Sequence, residues 1–311
     1  MIEKVVQVEL PVGEKLQVLK NRLAPRKSKK GERLKRISVV TGIHGDELEG
    51  QYVCYLIEER IRKHPECLKG IVDVYPAMNP LGVDSITRGM PGFDLDMNRI
   101  FPGNKDGMMA EYMAAKIIED VEGSDLAIDI HASNSYLKEI PQVRINEQHQ
   151  DWLVPIAKYL NMDYIWVHSA ATVLESTFAY SLNSMGVNTL VVEMGVGMRI
   201  TNEYAYQLTE GIFNVMKSMG MWDGPIGEIR EPIVSTDGNV HYLNAGVEGV
   251  FVPKPMHWKN VGKGELIGEI VNPLTGEAPE PVVSPVNGIV FTLREYPVVY
   301  AGSLLARILG Q

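Results

Sequence analysis

The chain runs to 311 residues, 45% of them hydrophobic and 22% charged, long enough for one large core or two unequal ones and near the averages for soluble globular proteins. That balance gives no support to a disordered or membrane-spanning class, because the longest apolar runs fall far short of the ~20 residues a bilayer requires. The formal net charge of −9 argues against a general nucleic-acid binder, which carries a basic surplus on its binding face, so neither a nucleic acid nor a membrane is expected as a partner.

Residues 1–20 read as an antiparallel hairpin. The first six, Met-Ile-Glu-Lys-Val-Val, lack the unbroken apolar stretch and small-residue cleavage site of a signal peptide, so a cytoplasmic location is expected. A basic segment follows: Lys20, Arg22, Arg26, Lys27, Lys29, Lys30, Arg33, Lys35 and Arg36, interrupted by Pro25 and Gly31. Such a run reads as a solvated hairpin loop with its flanks; its charge would also suit a polyanion or another subunit, which leaves room for a homo-oligomer. From residue 37 to about residue 220, short β-branched runs at 37–41, 71–75, 126–130, 164–167 and 189–192 alternate with helical spacing at 47–63, 108–121, 150–160, 177–185 and 203–219. This is the pattern of an α/β fold, with a mostly parallel central sheet flanked by helices. The two cysteines, Cys54 and Cys67, form no metal or redox spacing and read as reduced thiols.

After Trp222 the texture changes: Pro and Gly become frequent, helical periodicity ends and short alternating strands run to the C-terminus. Two units are therefore expected, a catalytic α/β domain over 1–222 and an all-β domain over 223–311. Within the second, Gly262-Lys263-Gly264 with Leu266-Ile267-Gly268-Glu269-Ile270, and then Ser284-Pro285-Val286-Asn287-Gly288, resemble the barrel-sandwich fold of lipoyl and biotinyl domains. The tip at 272–276 reads Asn-Pro-Leu-Thr-Gly and holds no lysine to carry a cofactor, so the resemblance implies the scaffold alone.

The candidate chemistry sits at strand ends. The first central strand runs out into His44-Gly45-Asp46-Glu47, where a helix start would set an imidazole and a carboxylate on the same side. Sites in open parallel sheets form beyond the carboxyl ends of strands, and His131 leaves a second strand there, behind Asp129-Ile130. Two histidines and one carboxylate leave a fourth position for water, the arrangement of a catalytic zinc. Asp129, two residues before His131, lies on the same strand face and can orient it, a role that a backbone carbonyl could equally fill. A third strand closes with Glu193 after Leu190-Val191-Val192; a carboxylate there is costly to desolvate unless it is used. The long loop from residue 79 to residue 103 delivers Arg88 and Arg99, whose guanidinium forks suit a carboxylate or a developing oxyanion.

Together, His44-Gly45-Asp46-Glu47, Asn79-Pro80, Arg88, Asp96-Met97-Asn98-Arg99-Ile100-Phe101-Pro102-Gly103, Asp129-Ile130-His131 and Glu193 resemble the succinylglutamate desuccinylase/aspartoacylase family, a branch of the zinc carboxypeptidase-like fold. The resemblance implies one zinc ion per chain on His44, Glu47 and His131, Glu193 as general base, Arg88 polarising the scissile carbonyl, and Asn98 and Arg99 gripping a substrate carboxylate. It also implies a pocket tyrosine from the all-β unit, for which Tyr296 and Tyr300 are the candidates. The function expected is a zinc-dependent amidohydrolase, a deacylase acting on a small N-acyl amino acid or related carboxylate-bearing amide. A zinc carboxypeptidase or amidase acting on a longer peptide-like substrate is the nearest alternative, and a non-catalytic metal-containing binding protein the more distant one.

Overall fold

The computed structural model describes residues 1–27, 31, 33–93, 95–169 and 175–311. In chain order the elements are β1 (Ile2–Glu9), β2 (Lys15–Leu23), β3 (Arg36–Thr41), α1 (Glu49–Lys63), β4 (Ile71–Tyr75), α2 (Pro80–Ser85), α3 (Met109–Val121), β5 (Leu126–His131), β6 (Leu137–Asn146), α4 (Gln150–Ala157), β7 (Tyr164–His168), α5 (Phe178–Ser184), β8 (Thr189–Gly195) and α6 (Asn202–Ser218). Then follow β9 (Ile233–Thr236), β10 (Val240–Asn244), β11 (Gly249–Pro253), β12 (Asn260–Val261), β13 (Leu266–Asn272), β14 (Glu277–Val283), β15 (Gly288–Arg294), β16 (Val298–Val299) and β17 (Leu304–Gly310). Among the described residues no helix is long and apolar enough to cross a membrane.

Central strands read as unbroken apolar runs because both faces of the sheet are covered. Successive side chains of a strand point to opposite faces: Ile37 and Val39 of β3, with Leu126, Ile128 and Ile130 of β5, pack in one core with Val53 and Ile57 of α1 and Leu208 and Ile212 of α6. Val40 and Ala127 face the other way, into a second core with Met113 and Ile117 of α3 and Phe178 and Leu182 of α5.

The main sheet has the order β1-β2-β4-β3-β5-β8-β6-β15-β17-β10. It is mixed across its width: β4, β3, β5 and β8 are mutually parallel, as are β6, β7 and β9, whereas β6 runs antiparallel to β8. The C-terminal strands join it through β15, whose Thr292 lies opposite Glu139 of β6. A second, four-stranded sheet, β14-β13-β11-β16, closes over its own apolar core of Phe251, Ile267, Ile270 and Val290.

Three cations of the basic segment are engaged internally rather than offered to a polyanion. Lys20 is buried and donates to Asp120 at 2.6 and 2.8 Å, Arg22 forks onto Asp73 at 2.7 and 2.8 Å, and Arg36 reaches the same carboxylate at 2.8 Å. Lys29 and Lys30 lie outside the described residues.

Candidate metal centre and active site

Beyond β3 the chain turns sharply before α1 begins at Glu49, so His44 and Glu47 sit on a turn that precedes the helix rather than in its first turn. A Cβ on Gly45 would lie 1.9 Å from the backbone of Gly82; only glycine lets the turn press against α2 this closely. In that turn His44 Nδ1 lies 2.8 Å from Glu47 Oε1. From the end of β5, His131 Nδ1 lies 2.8 Å from Glu47 Oε2, which also accepts from the Ala132 amide at 3.1 Å. All three side chains are buried, and their donor atoms fall within 4.8 Å of one another, close enough to hold one metal ion.

Each imidazole is fixed from behind. His44 Nε2 meets Asp96 Oδ1 and His131 Nε2 meets Asp129 Oδ2, both at 3.1 Å; such carboxylate partners set the tautomer and raise ligand basicity. Burial alone would lower both histidines, but Glu47 and Asp96 carry His44 above its ordinary value, and Asp129 and Glu47 carry His131 well above it. Burial opposes ionisation of Glu47 as well, and the two imidazoles outweigh it, holding the carboxyl far below the usual range.

Glu193 arrives by strand register: it stands opposite His131 on the parallel neighbour β8. Its Oε1 accepts from Arg144 at 3.1 Å, and Arg144 reaches on to Glu139 at 3.2 Å. Glu139, itself buried, also accepts from Arg307 of β17 at 2.7 Å and from Gln142 at 2.9 Å. Arg88 donates to Glu47 Oε1 at 3.0 Å and stands 3.5 Å from Asp96. Asn98 is buried with its amide oxygen on the Phe178 backbone N–H, 2.9 Å away at the start of α5. Arg99 is exposed, donates to the Asn98 carbonyl at 2.8 Å, and has no carboxylate partner among the described residues.

His44, Glu47, Arg88, Asn98, Arg99, His131 and Glu193 all line one cleft of about 520 Å³. Residues 33–219 match the succinylglutamate desuccinylase/aspartoacylase catalytic domain. The chain belongs to the succinylglutamate desuccinylase/aspartoacylase family.

Among relatives of this family, N-alpha-acetyl-L-2,4-diaminobutyric acid deacetylase of Halomonas elongata is 27% identical over 203 residues, covering 63% of this chain. The match spans 58% of that relative's length. The solved structure of the ectoine utilization protein EutE (DoeB) from Ruegeria pomeroyi superposes with a TM-score of 0.83 at 19% identity, covering 99% of this chain and 93% of that one. A succinylglutamate desuccinylase/aspartoacylase from Rhodobacter sphaeroides gives 0.81 at 22% identity, covering 99% and 94%. At these identities the structures show a shared fold.

Around the cleft stand residues that carry no assigned role in the sequence reading. Asp96 stood in the motif without a role, and Glu139 and Arg144 fall on β6, a strand that Pro141 and its charges disguise. The available signal was alternation: Gln142, Arg144 and Asn146 interleave with the apolar Val143 and Ile145. Arg307 carries no sequence signal at all. The β unit's contribution to the lining is this arginine rather than a tyrosine; neither Tyr296 nor Tyr300 lines the cleft, and Tyr300 is 74% exposed.

Proposed function

We propose that the chain is a zinc-dependent hydrolase cleaving the amide bond of a small N-acyl amino acid or related carboxylate-bearing amide, with one zinc per chain. The observation that carries this reading is the convergence of His44, Glu47 and His131 beside a strand-end carboxylate, Glu193, in register with His131. The donor set fits the ion: two imidazole nitrogens and a carboxylate, each ring steadied by a second acid, with three protein ligands as in catalytic rather than structural sites. When bound, zinc supplies Lewis acidity, lowering the pKa of a water toward ~7 and polarising a carbonyl.

The remaining work falls to the protein's own side chains. Glu193 takes a proton from the attacking water and returns it to the leaving nitrogen, so the C–N bond breaks with a neutral amine departing and a carboxylic acid formed. Arg88 stabilises the charge that develops on the carbonyl oxygen. Arg99, with no acid partner among the described residues, and the remaining amide donor of Asn98 grip the substrate carboxylate. Residues 1–222 then carry the chemistry, and residues 223–311 form a barrel-sandwich-type unit that touches the cleft through Arg307.

A cleft of about 520 Å³ suits a small molecule better than a long peptide. The relative named a deacetylase of an N-acetylated amino acid supports the same substrate class. The test is release of amine from a panel of N-acetyl and N-succinyl amino acids by the zinc-loaded protein. One amine per acid released is the expected result, and no release from any member would overturn the reading.

A further inference from the structure

Among the described residues Glu193 has one hydrogen-bond partner, Arg144, whose Nη1 donates to its Oε1 at 3.1 Å. Its second oxygen, Oε2, is left for the cleft that Glu193 lines. The other arm of Arg144, Nη2, donates to Glu139 Oε1 at 3.2 Å, and the same oxygen accepts from Arg307 of β17 at 2.7 Å. Gln142 and Thr292 donate to Oε2 of Glu139. Arg307, Glu139, Arg144 and Glu193 thus alternate in sign along a row that runs from the β unit to the proposed general base. The Trp166 ring lies against both guanidinium groups, 5.5 Å from that of Arg144 and 5.7 Å from that of Arg307. Burial works against the charge of Arg144, and the carboxylates of Glu193 and Glu139 outweigh it.

Two strand irregularities build this row. Opposite residues on antiparallel neighbours share a face of the sheet, as do residues two apart on one strand. Gln142, opposite Glu193, and Arg144 therefore stand on the side of Glu193. Glu139, three residues before Gln142, would face away in a regular strand. Between them β6 advances three residues, from 139 to 142, while β8 moves two, from 195 to 193, and the extra residue returns Glu139 to the face of Glu193. Farther across the sheet, β15 advances two residues from Val290 to Thr292 while β17 moves one, from Ile308 to Arg307. Without that bulge Ala306 would stand opposite Thr292, and Arg307 would turn to the other face. Bulges beside active sites re-aim single side chains; here two of them converge on Glu139 and, through it, on Arg144.

We infer that Arg144 is the positioning residue for Glu193, and that Glu139 and Arg307 hold its guanidinium plane, so that the C-terminal β unit sets the aim of the base. A guanidinium is a rigid, planar fork. With one arm on Glu139, the other meets Glu193 from a single direction, which fixes Oε1 and leaves Oε2 for the attacking water. The inference rests on the role proposed for Glu193 and extends it to residues outside the metal centre.

The experiment measures kcat, KM and zinc content of Arg144→Gln, Arg144→Lys and Arg307→Gln on the best substrate of the N-acetyl and N-succinyl amino acid panel, and determines crystal structures of the zinc-loaded wild type and both Arg144 variants. Arg144→Gln should lower kcat about 10–100-fold at nearly constant KM and full zinc content, the scale on which a lost outer partner is felt. Arg144→Lys keeps the charge and loses the fork, so it should fold as the wild type does and still lose about tenfold in kcat. Arg307→Gln should lower kcat in the same sense by less. In the Glu193→Gln background Arg144→Gln should cost less than about twofold, because no base is left to aim. Wild-type kcat in Arg144→Lys, a loss carried by KM or by zinc content, or an equal further loss in the Glu193→Gln background overturns the inference. If the wild type hydrolyses no member of the panel, the deacylase reading fails and the crystal structures decide the inference by themselves: a Glu193 carboxylate turned from its wild-type orientation in the Arg144 variants supports it, and an unchanged one overturns it.

Discussion

In the proposed mechanism Glu193 serves two proton transfers with one carboxylate, and glutamine at that position is nearly isosteric. Glu193→Gln should therefore keep zinc and lose turnover, by at least the upper part of the ~10²–10⁴-fold range of a positioned acid/base group. Glu47→Gln should lose zinc as well as activity, because a neutral amide is a poor ligand. Zinc content and kcat of the two variants, measured together, separate the roles; retention of more than about a tenth of kcat in Glu193→Gln would remove it as the base. Arg99, which has no acid partner among the described residues, should act in ground and transition states alike, so Arg99→Ala raises KM much more than it lowers kcat. A loss mainly in kcat would exchange its role with that of Arg88. The seven residues singled out from the sequence were legible because each follows an apolar strand or sits in a dense loop motif. Arg144 and Arg307 were not, since each lies inside a strand and gains meaning only from what stands across the sheet.

At the scale of elements, apolar periodicity located the central strands and major helices to within a residue or two at most ends, with α4 passing into a short 3-10 turn at Lys158–Leu160. It failed for β6, where an internal proline and inward-facing charges hide a strand that borders the site, and at the start of α1, where a turn does the work attributed to a helix. Close approach is equally invisible in sequence: a Cβ on Gly211 of α6 would lie 1.7 Å from the Leu160 carbonyl. Gly211→Ala should push α6 from the turn at Lys158–Leu160 and cost about 1–3 kcal/mol or more, read as a lowered denaturation midpoint. Asp73 ties β2, β3 and β4 together. Burial would raise its pKa, but the Arg22 hydrogen bonds and the charges of Arg36 and Lys20 hold it below the ordinary value. Because the folded pKa is depressed, this stabilisation is complete above the unfolded value of about 3.9 and is lost as pH falls through the folded one. Urea unfolding of wild type and Asp73→Asn should differ by about 3–5 kcal/mol at pH 7, with the gap shrinking below about pH 4. A gap that does not change with pH would rule out the ionised carboxylate as its source.

Over the whole molecule, two apolar cores sandwich the parallel strands and bring three strand ends to one edge, and the C-terminal strands extend the same sheet so that Arg307 reaches Glu139 behind Glu193. The change of texture after Trp222 signalled the all-β region, but the pairing of β15 with β6 could not be read from either segment alone. With cores of this size the fold should not depend on an ion at its edge. The most direct test of the account is therefore to measure zinc, secondary structure and hydrolysis of N-acyl amino acids before and after chelation, and again after zinc is restored. One zinc per chain is expected, with activity lost on its removal and regained on its return while the circular dichroism spectrum stays nearly constant; full hydrolysis by the metal-free protein would contradict it.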